Sequence, residues 1–168
     1  MSDHLFKTLL QSCQNLQELA LPNCQMLSVK CLPEGLHFPF LHTLLLNGCV
    51  QLNNTAVQRF AEACPQLKKL SLAEVYCLAS VALESVCVSC PLLEFLDLSL
   101  CACFSDSIMK HVLSMLPRLF MKVTRYTDNE LRGVTKEIHH LTVQDIFTRY
   151  PNTYREKALD EQRWWGGD

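Results

Sequence analysis

The feature that most constrains this chain is a leucine pattern that recurs at a nearly constant interval. The pattern Leu-x-x-Leu-x-Leu occurs four times, and its starts are separated by 25, 26 and 26 residues: Leu16, Leu41, Leu67 and Leu93. In each copy the last two leucines are two residues apart, which is the spacing of side chains on one face of a β-strand. A period of this length is typical of repeat architectures, whose units bury their apolar faces by stacking on one another.

The segments between these strands carry apolar residues at helical spacing. They predict helices over 54–63, 80–89 and 106–116, each followed by a proline that cannot continue it. Short polar side chains stand where the helices need an N-cap: Asn53, Ser80 and Ser105. One strand and one helix per repeat predict an α/β solenoid, with parallel strands on its concave side and helices on its convex side.

Two stretches depart from the regular pattern. The second repeat is interrupted by three residues that favour a short turn or 3₁₀ segment over a full helix: Pro33, Gly35 and Pro39. In the fifth strand the strict repeat phase would bury Lys122 and Thr124. A strand shifted by one residue buries a better alternating set instead: Leu119, Met121 and Val123. We therefore expect the fifth strand to slip by one residue.

The ten cysteines follow the same repeat. Three cysteines lie three residues before the first leucine of a copy: Cys13, Cys64 and Cys90. Another three lie three residues after the last leucine of a copy: Cys24, Cys49 and Cys101. Cys77 and Cys103 share a further phase, whereas Cys31 and Cys87 lie outside the repeat. The turn after each strand needs a small buried side chain, and a thiol fits there as a compact apolar group. We interpret the cysteines as reduced packing residues.

The sequence contains few candidates for a metal-binding or catalytic site. Four cysteines could be assigned to zinc: Cys87, Cys90, Cys101 and Cys103. The repeat phases of Cys90 and Cys101 favour burial instead. His139 and His140 follow Glu137 on a predicted helix without an evident third ligand. The five glycines form no phosphate-binding loop. We expect no metal, no cofactor and no enzymatic activity.

Charge and hydropathy narrow the classes of partner. Fifteen Lys and Arg against seventeen Asp and Glu give a net charge of −2 with no basic block, so we do not expect nucleic acid. No apolar run approaches the roughly 18 residues that identify a membrane-spanning helix. We expect a protein of the cytoplasm, with the nucleus as a second location.

The motifs from Cys13 to Leu27 and from Cys90 to Asp106 closely resemble the cysteine-containing leucine-rich repeat. The first of them reads Cys13-x-x-Leu16-x-x-Leu19-x-Leu21-x-x-Cys24-x-x-Leu27. This repeat is typical of F-box and leucine-rich-repeat proteins, the substrate-recognition subunits of Skp1-cullin-F-box (SCF) ubiquitin ligases. The resemblance covers residues 1 to about 124 and implies a leucine-rich-repeat solenoid of about five coils, the first of them truncated.

The resemblance implies a protein–protein interaction module that recognises the substrates of such a ligase. Skp1 and cullin would be partners only if a longer form carries an F-box, since none is visible ahead of the repeats. The alternative is an F-box-less scaffold subunit of a cytoskeletal or ciliary assembly. In both cases the expected partner is a protein bound on the concave face.

The two ends of the chain require their own interpretation. The chain begins part-way through a repeat, so it is either a fragment or short isoform, or a solenoid that self-associates through an open edge near Leu19. We expect a helical C-terminal cap over 125–155, with a sixth strand at 138–143 as the alternative. Residues 156–168 are a tail in which Trp164 and Trp165 either fold back on the last coil or bind a partner.

The residues between and after the strand leucines should face the concave side: Glu18, Ala20, Pro22, Thr43, Leu45, Asn47, Lys69, Ser71, Ala73, Phe95, Asp97 and Ser99. Six of these form the predicted partner-binding surface: Glu18, Leu45, Asn47, Lys69, Phe95 and Asp97. We expect Leu45 and Phe95 to be exposed apolar anchors inside a polar rim.

Overall fold

The structure, a computed structural model, describes residues 3–101, 104 and 106–123, in which helices and strands alternate. The helices are α1 (Asp3–Ser12), α2 (Asn54–Ala63), α3 (Ser80–Ser89) and α4 (Asp106–Met115). The strands are β1 (Glu18–Ala20), β2 (Thr43–Leu45), β3 (Lys69–Ser71), β4 (Phe95–Asp97) and β5 (Phe120–Lys122). The predicted cap, tail and histidine pair lie outside the described residues, as does Cys103.

The five strands form one parallel sheet in the order β1-β2-β3-β4-β5. The central leucines of the first four strands are paired in register across the sheet: Leu19, Leu44, Leu70 and Leu96. All four are buried and belong to the main hydrophobic core. The predicted α/β leucine-rich-repeat solenoid with parallel strands is thus confirmed.

The fifth strand has the predicted shift. Leu96 pairs with Met121, which lies 25 residues further along the chain, whereas the leucines of β3 and β4 are 26 residues apart. Met121 and Val123 are buried, and Lys122 points away from the core. The shift places both Phe120 and Lys122 on the concave face.

The helices begin and end close to the predicted positions, because their apolar spacing is regular. α2 packs against α3, and α3 packs against α4, while the buried side of each helix joins the core. In the irregular second repeat a 3₁₀ turn over Val29–Cys31 replaces the helix, as predicted. Arg59 of α2 donates hydrogen bonds to the carbonyls of Val29 and Pro33, which satisfies backbone groups of this irregular segment.

The N-caps differ between two helices. Asn53 caps α2 as predicted, since its side-chain oxygen accepts a hydrogen bond from Ala56 N at 3.0 Å. The prediction for α3 was wrong by one residue: Ala79 is the N-cap and has no side-chain acceptor, and Ser80 is the first helical residue. Asn54 Oδ1 instead accepts a hydrogen bond from Ala79 N at 2.8 Å. Ser105 lies outside the described residues.

The turns that follow the strands bring cysteine thiols against the neighbouring coil. Cys49 Sγ donates to Leu21 O at 3.0 Å, and Cys101 Sγ donates to Leu72 O at 3.1 Å. Both thiols are buried, and each bonds a carbonyl of the preceding coil. The nine cysteines of the described residues are all free thiols. The interpretation of Cys49 and Cys101 as packing residues is therefore correct, and each also contributes a hydrogen bond between coils.

Candidate functional site

Two rows of side chains cross the concave face of the sheet, because residues on either side of each central strand residue point away from the core. The first row contains Glu18, Thr43, Lys69, Phe95 and Phe120. The second row contains Ala20, Leu45, Ser71, Asp97 and Lys122. Strand register thus brings five of the six predicted site residues onto one continuous surface, and Asn47 lies in the turn just after β2.

Exposure decreases along this surface from β1 to β4, and on β5 Phe120 is buried while Lys122 is half-buried. Glu18 is exposed, and Leu45, Asn47 and Lys69 are half-buried. Phe95 is only 1% exposed and Asp97 only 4% exposed. The expectation that Phe95 is an exposed anchor is therefore wrong: the residue faces the concave side but is covered. Leu45 is partly accessible, so the expected apolar anchor remains only on β2.

Phe95 lies between an aromatic ring and a cation. Its ring stacks on Phe120, with centroids 5.6 Å apart and planes inclined by 18°. On the other side the Lys69 Nζ atom lies 5.9 Å from the Phe95 ring centroid. Such contacts contribute about 0.5–1.5 kcal/mol each. Burial lowers the pKa of Lys69, while the nearby charge of Glu18 acts in the opposite direction.

The second row contains a buried carboxylate. Asp97 Oδ1 accepts a hydrogen bond from Ser99 N at 2.9 Å, and Asp97 Oδ2 lies 4.0 Å from Lys122 Nζ. The ion pair and the hydrogen bond from Ser99 N together offset part of the cost of burying the carboxylate. Asp97 thus bonds the turn that follows β4 and pairs with the last residue of the neighbouring strand β5, which is a structural role.

Sequence reasoning left two residues out of the candidate surface, Phe120 and Lys122. Both enter the concave face because β5 is shifted by one residue relative to the repeat. The sequence contains a signal for both residues. Leu119, Met121 and Val123 alternate, so Phe120 and Lys122 lie on the opposite face of the strand.

A groove lies beside the concave face, at the amino-terminal ends of the strands. This groove of about 540 Å³ is lined by Gln17, Pro39, Phe40, His42, Gln66 and Lys68. Phe40 is 57% exposed there. The groove adjoins the concave face at the amino ends of β1, β2 and β3, so an elongated partner could contact both.

Two of the cysteines considered as zinc ligands, Cys87 and Cys90, are buried. Burial raises the pKa of Cys87 to about 11 and that of Cys90 to about 12. At neutral pH these two thiols are protonated, and a protonated thiol is a poor nucleophile. Within the part of the chain that the structure describes, no group of three or more His, Cys, Asp or Glu residues could hold a metal ion.

Comparison with known proteins places the repeats in a family. The model of the leucine-rich repeats of FBD-associated F-box protein At5g56370 matches residues 1–143. The chain belongs to this family of F-box-associated leucine-rich repeats. Repeats of this family form a protein-interaction module.

Known structures support the fold. The chain is similar to a chain in the crystal structure of the Rad7 and Elc1 complex in yeast, with 19% sequence identity and a TM-score of 0.54. The similarity covers 85% of this chain and 44% of that one, so the chain spans less than half the length of its structural relative. No curated protein matches the sequence. No helix within the described ranges is both long and apolar enough to cross a membrane.

Proposed function

We propose that this leucine-rich-repeat domain is the substrate-recognition part of an SCF-type ubiquitin ligase. The observation that carries the proposal is the family match over residues 1–143, because the matched repeats come from an F-box protein. The proposed partners are a protein target on the concave face and, through an F-box of a longer form, Skp1 and cullin. Nothing in the described residues favours the scaffold alternative.

The proposed mechanism is positional. A target held on a rigid sheet is brought close to a ubiquitin-charged enzyme that binds elsewhere in the ligase, and proximity raises the effective concentration of the reacting groups. The repeat domain then needs shape and side-chain complementarity, with no chemistry of its own. The cytoplasm, and secondarily the nucleus, is the proposed location.

The accessible end of the concave face is the best place for the target. Glu18 is exposed on β1, and Leu45, Asn47 and Lys69 are partly accessible on and after the next two strands. An apolar side chain beside one acidic and one basic group fits the usual anatomy of a protein interface, with an apolar centre and a polar rim. The groove beside Phe40 extends this surface.

The test is affinity purification of the endogenous gene product from cells, tagged at its C-terminus so that any longer form is captured. We expect Skp1 and cullin to co-purify together with a target. A Glu18→Lys variant should lose the target at least several-fold while it retains Skp1 and cullin. The matched control is Glu84→Lys, which changes an equally charged, exposed residue on α3.

Two results would overturn the proposal. A stoichiometric complex that contains neither Skp1 nor cullin would refute the ligase assignment. Equal target recovery with Glu18→Lys, Leu45→Asp and Glu84→Lys would refute the placement of the target on the concave face.

A further inference from the structure

The groove at the amino-terminal ends of β1, β2 and β3 contains an aromatic side chain that the repeat does not need for its core. Phe40 is 57% exposed in the groove, whereas Phe38, two residues earlier, is fully buried. The position equivalent to Phe40 in the next repeat is Gln66, a polar residue that also lines the groove. Packing within the repeat therefore does not account for the aromatic residue at position 40.

The backbone ladder of the sheet holds one side of the groove in place. Gln17, His42 and Lys68 each stand one residue before a strand. His42 N donates to Gln17 O at 2.9 Å, and Lys68 N donates to His42 O at 2.9 Å. The three residues are thus fixed in neighbouring coils, about 4.8 Å from one to the next. A partner does not have to order this part of the groove when it binds, which favours its affinity.

Several polar groups of the groove are available to a partner. Within the described part of the chain, the side chains of Gln17, Gln66 and Lys68 make no hydrogen bond or ion pair. His42 Nδ1 lies 3.1 Å from Thr43 Oγ1, which leaves the other ring nitrogen, Nε2, for a partner. A lysine ammonium only donates hydrogen bonds, whereas a glutamine carboxamide both donates and accepts them. These groups therefore suit a carboxylate at Lys68 and peptide groups at the two glutamines.

The charges on and beside the groove restrict the partner further. Lys68 is exposed, and none of the described residues that line the groove is acidic. Two acidic residues lie just outside it: Glu18 follows Gln17 on β1, and Glu94 N bonds Lys68 O from the next coil at 2.8 Å. A lysine between two acidic residues attracts a single carboxylate but repels a polyanion such as nucleic acid.

We propose that this groove binds an extended peptide segment of the target, with one Asp or Glu carboxylate on Lys68 and a neighbouring apolar side chain against Phe40. Three coils cover about 10 Å, which is the length of about three extended residues. An apolar wall with a few placed polar groups is typical of binding sites. The proposal rests on the proposed function only for the identity of the target, since a peptide can bind the groove without Skp1 or cullin.

The test is the selection of random peptides on the purified full chain. Peptides of about ten residues, long enough to contain the bound segment, are displayed on phage. The selected peptides are synthesised with a fluorescent label, and their affinities are measured by fluorescence anisotropy. Two variants change the groove, Lys68→Glu and Phe40→Ser. Their matched controls are Lys110→Glu and Val88→Ser, which change an exposed lysine of α4 and an exposed apolar residue of α3. Circular dichroism checks that all four variants are folded.

We expect each selected peptide to contain an acidic residue with an apolar residue within about three positions of it. Lys68→Glu should weaken their binding by roughly five-fold or more, because it replaces an attraction with a repulsion. Phe40→Ser should weaken it by a similar factor, because it removes the apolar contact. The two control variants should bind the peptides as the unsubstituted chain does.

Three results would overturn the proposal: no enriched peptide, enriched peptides without an acidic residue, or equal affinities of the Lys68→Glu and Lys110→Glu variants. Binding of a single-stranded DNA oligonucleotide that Lys68→Glu abolishes would also overturn it, because the groove would then accept a polyanion. Self-association that the same variant abolishes would identify a second copy as the occupant. Each result is obtained without Skp1, cullin or the cellular target, so a failure of the ligase assignment is distinguishable from a failure of the groove.

Discussion

At two turns of this solenoid a cysteine thiol bonds a backbone carbonyl of the preceding coil. Cys49 and Cys101 occupy equivalent positions in the turns after β2 and β4, and each donates to a leucine carbonyl of the preceding coil. The repeat between them has Val75 at this position, which fills the same buried space but cannot donate. Packing therefore accounts for the size of the side chain, and the hydrogen bond accounts for the choice of sulfur.

The thiol hydrogen bond can be measured by substitution. We expect Cys49→Val to lower the free energy of unfolding by about 1 kcal/mol, because Leu21 O loses its thiol donor while the buried volume is nearly conserved. Urea denaturation followed by circular dichroism checks this. Cys77→Val is the control, since Cys77 is exposed. Equal stability of the two variants would show that the thiol acts by volume alone.

The turns also contain residues with positive φ, two positions after the third leucine of each copy: Asn23, Gly48, Glu74 and Leu100. Gly48 is the one glycine of this set, and a Cβ at this position would collide with the Asn23 side chain of the preceding coil. Asn23 and Glu74 hold this conformation in turns that are bonded to the next coil, by Asn23 N to Asn47 O at 2.8 Å and by Glu74 N to Ser99 O at 2.9 Å.

At the scale of elements, α2 and α3 have the same length and pack against each other, but their N-termini are satisfied differently. Asn53 bonds its own helix, whereas Ala79 has no side-chain acceptor to offer α3. Asn54 links the two elements by accepting from Ala79 N. The stack of helices is thus joined through polar groups at their N-termini as well as through their apolar sides.

This difference predicts opposite effects of two substitutions. Asn53→Ala should destabilise the protein by about 1 kcal/mol, because Ala56 N loses its acceptor. Ala79→Ser should stabilise it by about 0.5–1 kcal/mol, because a hydroxyl at this position can accept from the first turn of α3. Thermal and urea unfolding measure both. A stabilising Asn53→Ala or a destabilising Ala79→Ser would contradict the cap assignments.

At the scale of the whole molecule, the buried thiols couple folding to pH. Burial raises the pKa of Cys64, Cys87 and Cys90, with the last near 12 against an ordinary thiol value of 9.0. In the unfolded chain these thiols lose their protons near pH 9, whereas the folded chain retains them. Below about pH 9 the buried thiols do not change the free energy of unfolding, because they are protonated in both states. Above about pH 9 the free energy of unfolding falls as the pH rises toward the pKa values of the folded protein.

We therefore expect the free energy of unfolding to be lower at about pH 10 than at about pH 8, with each buried thiol contributing up to about 1.4 kcal/mol per pH unit. Cys90→Val should reduce this dependence, and Cys77→Val should not, because only the first removes a buried thiol. Urea titrations in reducing buffer at the two pH values provide the measurement. Parallel pH dependences of the two variants would refute the coupling.

The repeat itself could be predicted from the sequence, since it is built from local patterns. The leucine period identifies the strands, the spacing of Val57, Phe60 and Ala61 identifies α2, and the prolines mark where helices end. The shift of β5 could be predicted as well. A strand has a side-chain period of two, so a shift by one residue changes which apolar residues alternate in the sequence. The same patterns resemble those of the family to which the chain belongs.

Only the tertiary structure decided which parts of the concave face are open. The sequence correctly places Glu18, Leu45, Phe95 and Asp97 on that face, because strand alternation is a local property. It could not show that Phe95 and Asp97 are buried, because burial depends on packing between residues that are distant in sequence. The sequence thus determined the solenoid and the direction of its side chains, whereas the structure determined their accessibility.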